Sequence, residues 1–176
     1  MGPKKQRVAG TETFQAVRYE NIPRNRRSQI TYSKVVCEVR PQKADPNCTR
    51  ITIGGSRIIY PGNVATPTGS LELVKLTINS VLSRHDAKFS CFDISNFYLA
   101  TPMDRSEYVK IKIDNIPQEF IQEYDLLPMV HQGWVYFKIV HGCYGLPQSG
   151  RLANDLLHTR LEKAGYLYCS KIGRAV

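Results

Sequence analysis

The spacing of apolar positions changes several times along the chain, and each change marks an element. From Gln29 to Val39 the β-branched and aromatic residues Ile30, Thr31, Tyr32, Val35 and Val36 predict a strand, stopped by Pro41 and the Asp45-Pro46-Asn47 turn signal. Arg50 to Tyr60 reads as two strands of a hairpin that turns at Gly54-Gly55. Thr66-Pro67-Thr68 is a helix-start signal, and Leu71, Val74, Ile78 and Leu82 then recur at helical spacing, predicting a helix with this face packed on a sheet. Phe89 to Ile94 is a short apolar run between Lys88 and Asn96, the pattern of a buried strand whose end delivers Asp93. Tyr108 to Ile113 alternates as a strand, Phe120 to Tyr124 is a brief turn, and Trp134 to Val140 is a strand apolar on both faces except at Lys138. After Gly150, Leu152, Ala153, Leu156, Leu157 and Leu161 form a helical stripe that Gly165 is placed to end.

The pattern thus mixes strands with helices along the chain. Residues 1–29 break the pattern. They hold few large apolar residues and gather Arg18, Arg24, Arg26 and Arg27 around Pro23, so a basic, disordered arm is expected ahead of a folded unit over 30–176.

Charge sharpens that division. The net charge is +9, and residues 1–60 carry twelve Lys and Arg against four Asp and Glu, while residues 61–176 carry twelve against eleven. A positive field concentrated at the front suits a polyanion, with counterion release making such binding salt-dependent, although a solvated basic face has the same composition. Apolar and charged contents of 42% and 22% are those of a globular chain, and no apolar run is long enough to cross a bilayer. The five cysteines, Cys37, Cys48, Cys91, Cys143 and Cys169, form no C-x-x-C pair and read as reduced thiols, with Cys91 and Cys143 as small core residues. No signal peptide follows Lys4 and Lys5, and an intracellular location, cytoplasmic or nuclear, is expected.

Two blocks carry candidate chemistry. Asp93-Ile94-Ser95-Asn96-Phe97-Tyr98-Leu99 places an aromatic five residues beyond a carboxylate at the end of an apolar run. A charge there is costly unless a cation pairs it, though a lone Asp at a strand end is also a common cap or turn former, and a lone Tyr a common core residue. Gly142-Cys143-Tyr144-Gly145-Leu146-Pro147-Gln148-Ser149-Gly150-Arg151 opens the last helical stripe, with glycines for tight turns and an amide able both to donate and to accept. It reads equally as structural punctuation before a helix.

Together the blocks resemble the copia-type retrotransposon reverse transcriptases. The first resembles that family's Asp-Val-x-Asn-Ala-Phe-Leu, and Tyr144-Gly145-Leu146-Pro147-Gln148 its Tyr-Gly-Leu-x-Gln, with Pro147 where the familiar sequences have Lys and Ser149-Gly150 where they have Ala-Pro. Thr49-Arg50-Ile51-Thr52-Ile53-Gly54-Gly55 resembles the fingers strand, and Glu107-Tyr108-Val109-Lys110 with Ile116-Pro117-Gln118-Glu119-Phe120 an insertion between palm strands. The resemblance covers residues from about Val35 to Tyr166 in order. It implies an α+β, partial right-hand polymerase fold, a mostly antiparallel sheet packed by helices, with fingers over about 30–86 and first half of the palm over about 87–176. It also implies RNA-directed DNA polymerase chemistry with two Mg²⁺ roughly 3.5–4 Å apart. By the same resemblance Asp93 is catalytic and a metal ligand together with the Ile94 carbonyl, Tyr98 checks the sugar, and Gln148, Arg50 and Arg151 contact the nucleotide. An RNA or DNA template with a primer and deoxynucleoside triphosphates are the implied partners.

The family completes its metal site with Tyr-x-Asp-Asp after the helix that here ends at Gly165. No such sequence occurs, and Tyr166 to Val176 contains no acidic residue. The expectation is therefore a fragment, inactive in polymerisation by itself and prone to leave strand edges and a helix face uncovered. The other reading is a non-catalytic nucleic-acid-binding remnant.

Overall fold

The computed structural model describes residues 13–39, 41–42, 46–66 and 69–166. Five strands, β1 (Phe14–Val17), β2 (Thr31–Val39), β3 (Asn47–Ile53), β4 (Pro102–Lys112) and β5 (Trp134–His141), form one mixed sheet in the order β1-β5-β4-β2-β3. Three helices accompany it, α1 (Leu71–Leu82), α2 (Gln118–Glu123) and α3 (Ser149–Lys163). The class is α+β, as expected, and the sheet is mainly antiparallel. Only β2 and β4 run parallel, through Thr31 opposite Val109 and Tyr32 opposite Lys110.

The β4–β5 ladder pairs Glu107 with Ile139, Val109 with Phe137 and Ile111 with Val135, so one face of the sheet carries the apolar set. Val109, Val135 and Ile139 are fully buried there, with Ile53, Ile58, Cys143 and Leu146 joining one cluster and Ile121 and Leu126 another. Short α2 owes its place to Ile121, and α3, with Ala153 buried, lies against β4.

Residues 14–29 correct the expectation of a disordered arm. Few apolar residues are present, but they are well placed: Phe14–Val17 pairs along the edge of β5, and Ile22 and Ile30 pack against Tyr136 on the second face of the sheet. Burying Ile22 alone is worth roughly 2 kcal/mol. Two 3-10 turns, Tyr19–Asn21 and Arg24–Gln29, bring the arginines into use. Arg27 lies 4.5 Å over the Tyr19 ring and donates to the Ile22 carbonyl. Lys4, Lys5 and Arg7 of the expected arm lie outside the described residues.

Three further expectations are corrected. The hairpin is β2 with β3, while Gly54-Gly55 leads into a 3-10 turn (Gly55–Arg57), because β2 already occupies the partner edge of β3. Helix α1 forms where the spacing predicts, capped by Ser70, whose hydroxyl accepts from the Leu73 N–H at 3.3 Å. It buries none of its residues, and Leu71, Val74, Ile78 and Leu82 all stay exposed. Residues 87–94 make no strand, since no sheet edge takes their backbone groups, and Phe89, Cys91, Phe92 and Ile94 are exposed. Asp45, Pro67, Thr68 and Cys169 lie outside the described residues.

Candidate functional site

At Gly142 two stretches distant in sequence meet. Its N–H donates to the Thr101 carbonyl at 2.7 Å, and a Cβ there would lie 2.5 Å from the Tyr98 carbonyl oxygen and 3.3 Å from Ser149 Oγ. Only a residue without a side chain lets β5 run this close to Tyr98. The Tyr98 ring then meets the Tyr144 ring edge to face, centroids 5.3 Å apart. Tyr144 accepts the Ile53 N–H at 2.7 Å, and Gly145, at φ +91°, lies so close to the Ile53 backbone that any Cβ would overlap its carbonyl. Segments 51–55, 93–101 and 142–151 are thereby drawn around Tyr144.

Local chemistry explains the turn that carries Tyr98. Asn96 adopts φ +54°, a left-handed conformation that Asn tolerates better than most residues. Its carbonyl accepts from the Ala100 N–H at 3.2 Å, and the Tyr98 carbonyl from the Thr101 N–H at 2.9 Å. Leu99 packs beneath, on the core cluster of Val109 and Ile139. Tyr98 is left half-buried at the rim.

The α3 start is held to the same point. Ser149, 2% exposed, accepts the Cys143 N–H at 3.0 Å on its hydroxyl. Burial pushes the Cys143 thiol up to about 11, against a partly opposing hydrogen bond with the Tyr144 backbone. Arg151, in the first turn, gives Nε to both Asp155 carboxylate oxygens at 2.8 Å. That pair is surface-exposed, so an anion of higher charge can displace it at small cost.

Two candidates stand elsewhere. Arg50 faces solvent on β3, paired with Glu38 across the hairpin at 2.6 Å, and points to the opposite face from Ile53. Gln148 is fully buried and donates its amide to Glu107 Oε1 at 3.0 Å, so the direct nucleotide contact expected of it is not open in this arrangement. Sequence reasoning missed the cluster this belongs to. Glu107, fully buried, also accepts from Arg26 and, at 2.7 Å, from Arg105, while Gln148 Oε1 and Arg26 Nε have no hydrogen-bond partner among the described residues. A lone Glu in an alternating strand gave no signal beyond falling on the apolar face.

Asp93 and the Ile94 backbone lie on an exposed stretch. Among the described residues no three His, Cys, Asp or Glu side chains are grouped as metal ligands. One carboxylate and one carbonyl cannot bridge two divalent ions, so a two-magnesium centre does not fit the residues present. Also among the described residues, no helix is long and apolar enough to cross a membrane.

No family model, curated protein or solved structure matches the chain.

Proposed function

We propose that these residues are the fingers and first half of the palm of a copia-type reverse transcriptase, an RNA-directed DNA polymerase working in an intracellular compartment on a primed RNA or DNA template. The supporting observation is the Tyr98–Tyr144 contact at 5.3 Å, which brings the two motif blocks to one place although 42 residues separate them. A nucleotide seated there would lay its sugar on the Tyr98 ring, where a 2′-hydroxyl meets carbon. Its phosphates would face Arg151 and the positive end of α3. Gln148 supports this position indirectly, by holding the loop before α3 onto Glu107.

Polymerisation needs carboxylates besides Asp93 to hold magnesium, and among the described residues none is grouped with it. The proposal for the chain itself is therefore nucleotide binding at Tyr98. Photo-crosslinking with 4-thio-dTTP, followed by peptide mapping, tests it. Saturable labelling within 93–101 or 142–151 is the expected result, and labelling elsewhere, or none that unlabelled dTTP competes away, would overturn it.

A further inference from the structure

The strand register sorts one face of the sheet into an unusual set. Residues opposite one another in a ladder share a face, so Tyr32 (β2), Lys110 (β4) and Tyr136 (β5) form one row. Lys112 and Trp134 form the next, roughly 7 Å further along the strands, with Lys34 following Tyr32 on the same face. Tyr136 is covered by Ile22 and Ile30, but Tyr32 and Trp134 are only half-buried. Each of these two rings carries two cations. Lys110 Nζ lies 4.6 Å and Lys112 Nζ 5.6 Å from the Trp134 centroid, while Lys34 Nζ lies 5.6 Å and the Arg57 guanidinium 6.0 Å from that of Tyr32.

None of these four cations makes an ion pair among the described residues. Of the acidic residues on neighbouring stretches, Glu38 pairs with Arg50 and Glu20 lies 3.6 Å from His131. Four positive charges beside two half-buried rings, with no ion pair among the described residues to neutralise them, match a ligand that alternates flat apolar faces with negative charge. Single-stranded nucleic acid has that alternation, because its bases can leave their own stack for an aromatic ring while the phosphates meet Lys and Arg. A duplex offers phosphates but keeps its bases stacked. An acidic peptide offers charge without the planar faces.

We infer that the face formed by Tyr32 and Trp134, rimmed by Lys34, Lys110, Lys112 and Arg57, binds single-stranded RNA or DNA. This face is opposite the one on which Leu99 packs, so it is separate from the Tyr98 site and does not depend on the nucleotide reading.

Trp134 is the chain's sole tryptophan, so its fluorescence reports the surface directly. Titration of the full chain with a decamer of dT or U should quench it, with a same-length duplex quenching far less. Lys34→Gln, Lys110→Gln, Lys112→Gln and Arg57→Gln combined should lower the slope of log affinity against log salt by about 3, from roughly 0.7 per single-strand phosphate contact. Tyr32→Leu, which keeps the charges, should weaken binding about tenfold. Binding that leaves Trp134 fluorescence unchanged, a combined variant with the parent's salt slope, equal quenching by duplex, or no binding would each overturn the inference. The Lys and Arg changes, at exposed Lys34, Arg57 and Lys112 and half-buried Lys110, keep the test intact if Tyr32→Leu fails to fold. Triphosphate crosslinking at Tyr98 is a separate readout, so either assignment can fail alone.

Discussion

Gln148 gives its side-chain amide to Glu107 across 3.0 Å, and neither residue reaches solvent. Glu107 is thereby the meeting point of the turn that precedes α3, β4 and, through Arg26, the N-terminal segment. A carboxylate in this position is held only because two guanidinium groups and an amide replace its water.

Removing that carboxylate should be costly. Glu107→Ala takes away the carboxylate that Arg26 and Arg105 share, and a loss of about 3–5 kcal/mol in urea unfolding is expected. Gln148→Ala should cost about 1–3 kcal/mol, as a hydrogen bond to a charged group is lost. Arg26→Ala should speed amide exchange over residues 19–30 before the rest of the sheet. Wild-type stability in both Glu107→Ala and Gln148→Ala would contradict the cluster.

The close approach of the three segments rests on two glycines. Gly145→Ala forces a side chain into a left-handed conformation and onto the Ile53 carbonyl, at a cost of about 2–5 kcal/mol. Gly142→Ala has an ordinary backbone conformation but pushes on the Tyr98 carbonyl, so it should move Tyr98 and Tyr144 apart with a smaller loss. The rings' mutual ring-current shifts in proton NMR would report it. An unchanged spectrum would show that the contact is looser than described.

Cys143 carries a pH prediction. Its thiol titrates near 9 when unperturbed and at about 11 in the fold, because burial disfavours the thiolate. The folded state therefore binds more protons between these values, and the stabilisation present below pH 9 is lost as pH rises to 11, by about 2–3 kcal/mol. Cys143→Ala should flatten this part of the stability profile. At pH 8 iodoacetamide should modify exposed Cys37 and Cys91 well ahead of Cys143, read by peptide mass.

Much of the sheet was legible in the sequence because β2, β4 and β5 are dense in β-branched and aromatic residues, a local signal that burial later reinforces. The fate of α1 and of Phe89 to Ile94 was not, since periodicity says that a face is apolar and not whether anything covers it. The N-terminal segment is the opposite case. Ile22 is one apolar residue in a run of arginines, and its value comes from packing with Ile30 against Tyr136, which only tertiary structure brings together. At the site, the spacing from Asp93 to Tyr98 and the Tyr144 to Arg151 turn identified segments that do converge. The destination of Gln148 depended on Glu107, 41 residues away, and no local pattern links the two.

The sugar preference of nucleotide binding tests the central claim most directly. Equilibrium competition should show the wild-type chain preferring dTTP over its ribonucleotide counterpart by about tenfold, the cost of crowding a hydroxyl against the Tyr98 ring, and Tyr98→Ala should abolish the preference without weakening dTTP binding to the same extent. Equal affinity for the two sugars in the wild type, or a preference that survives Tyr98→Ala, would contradict the account.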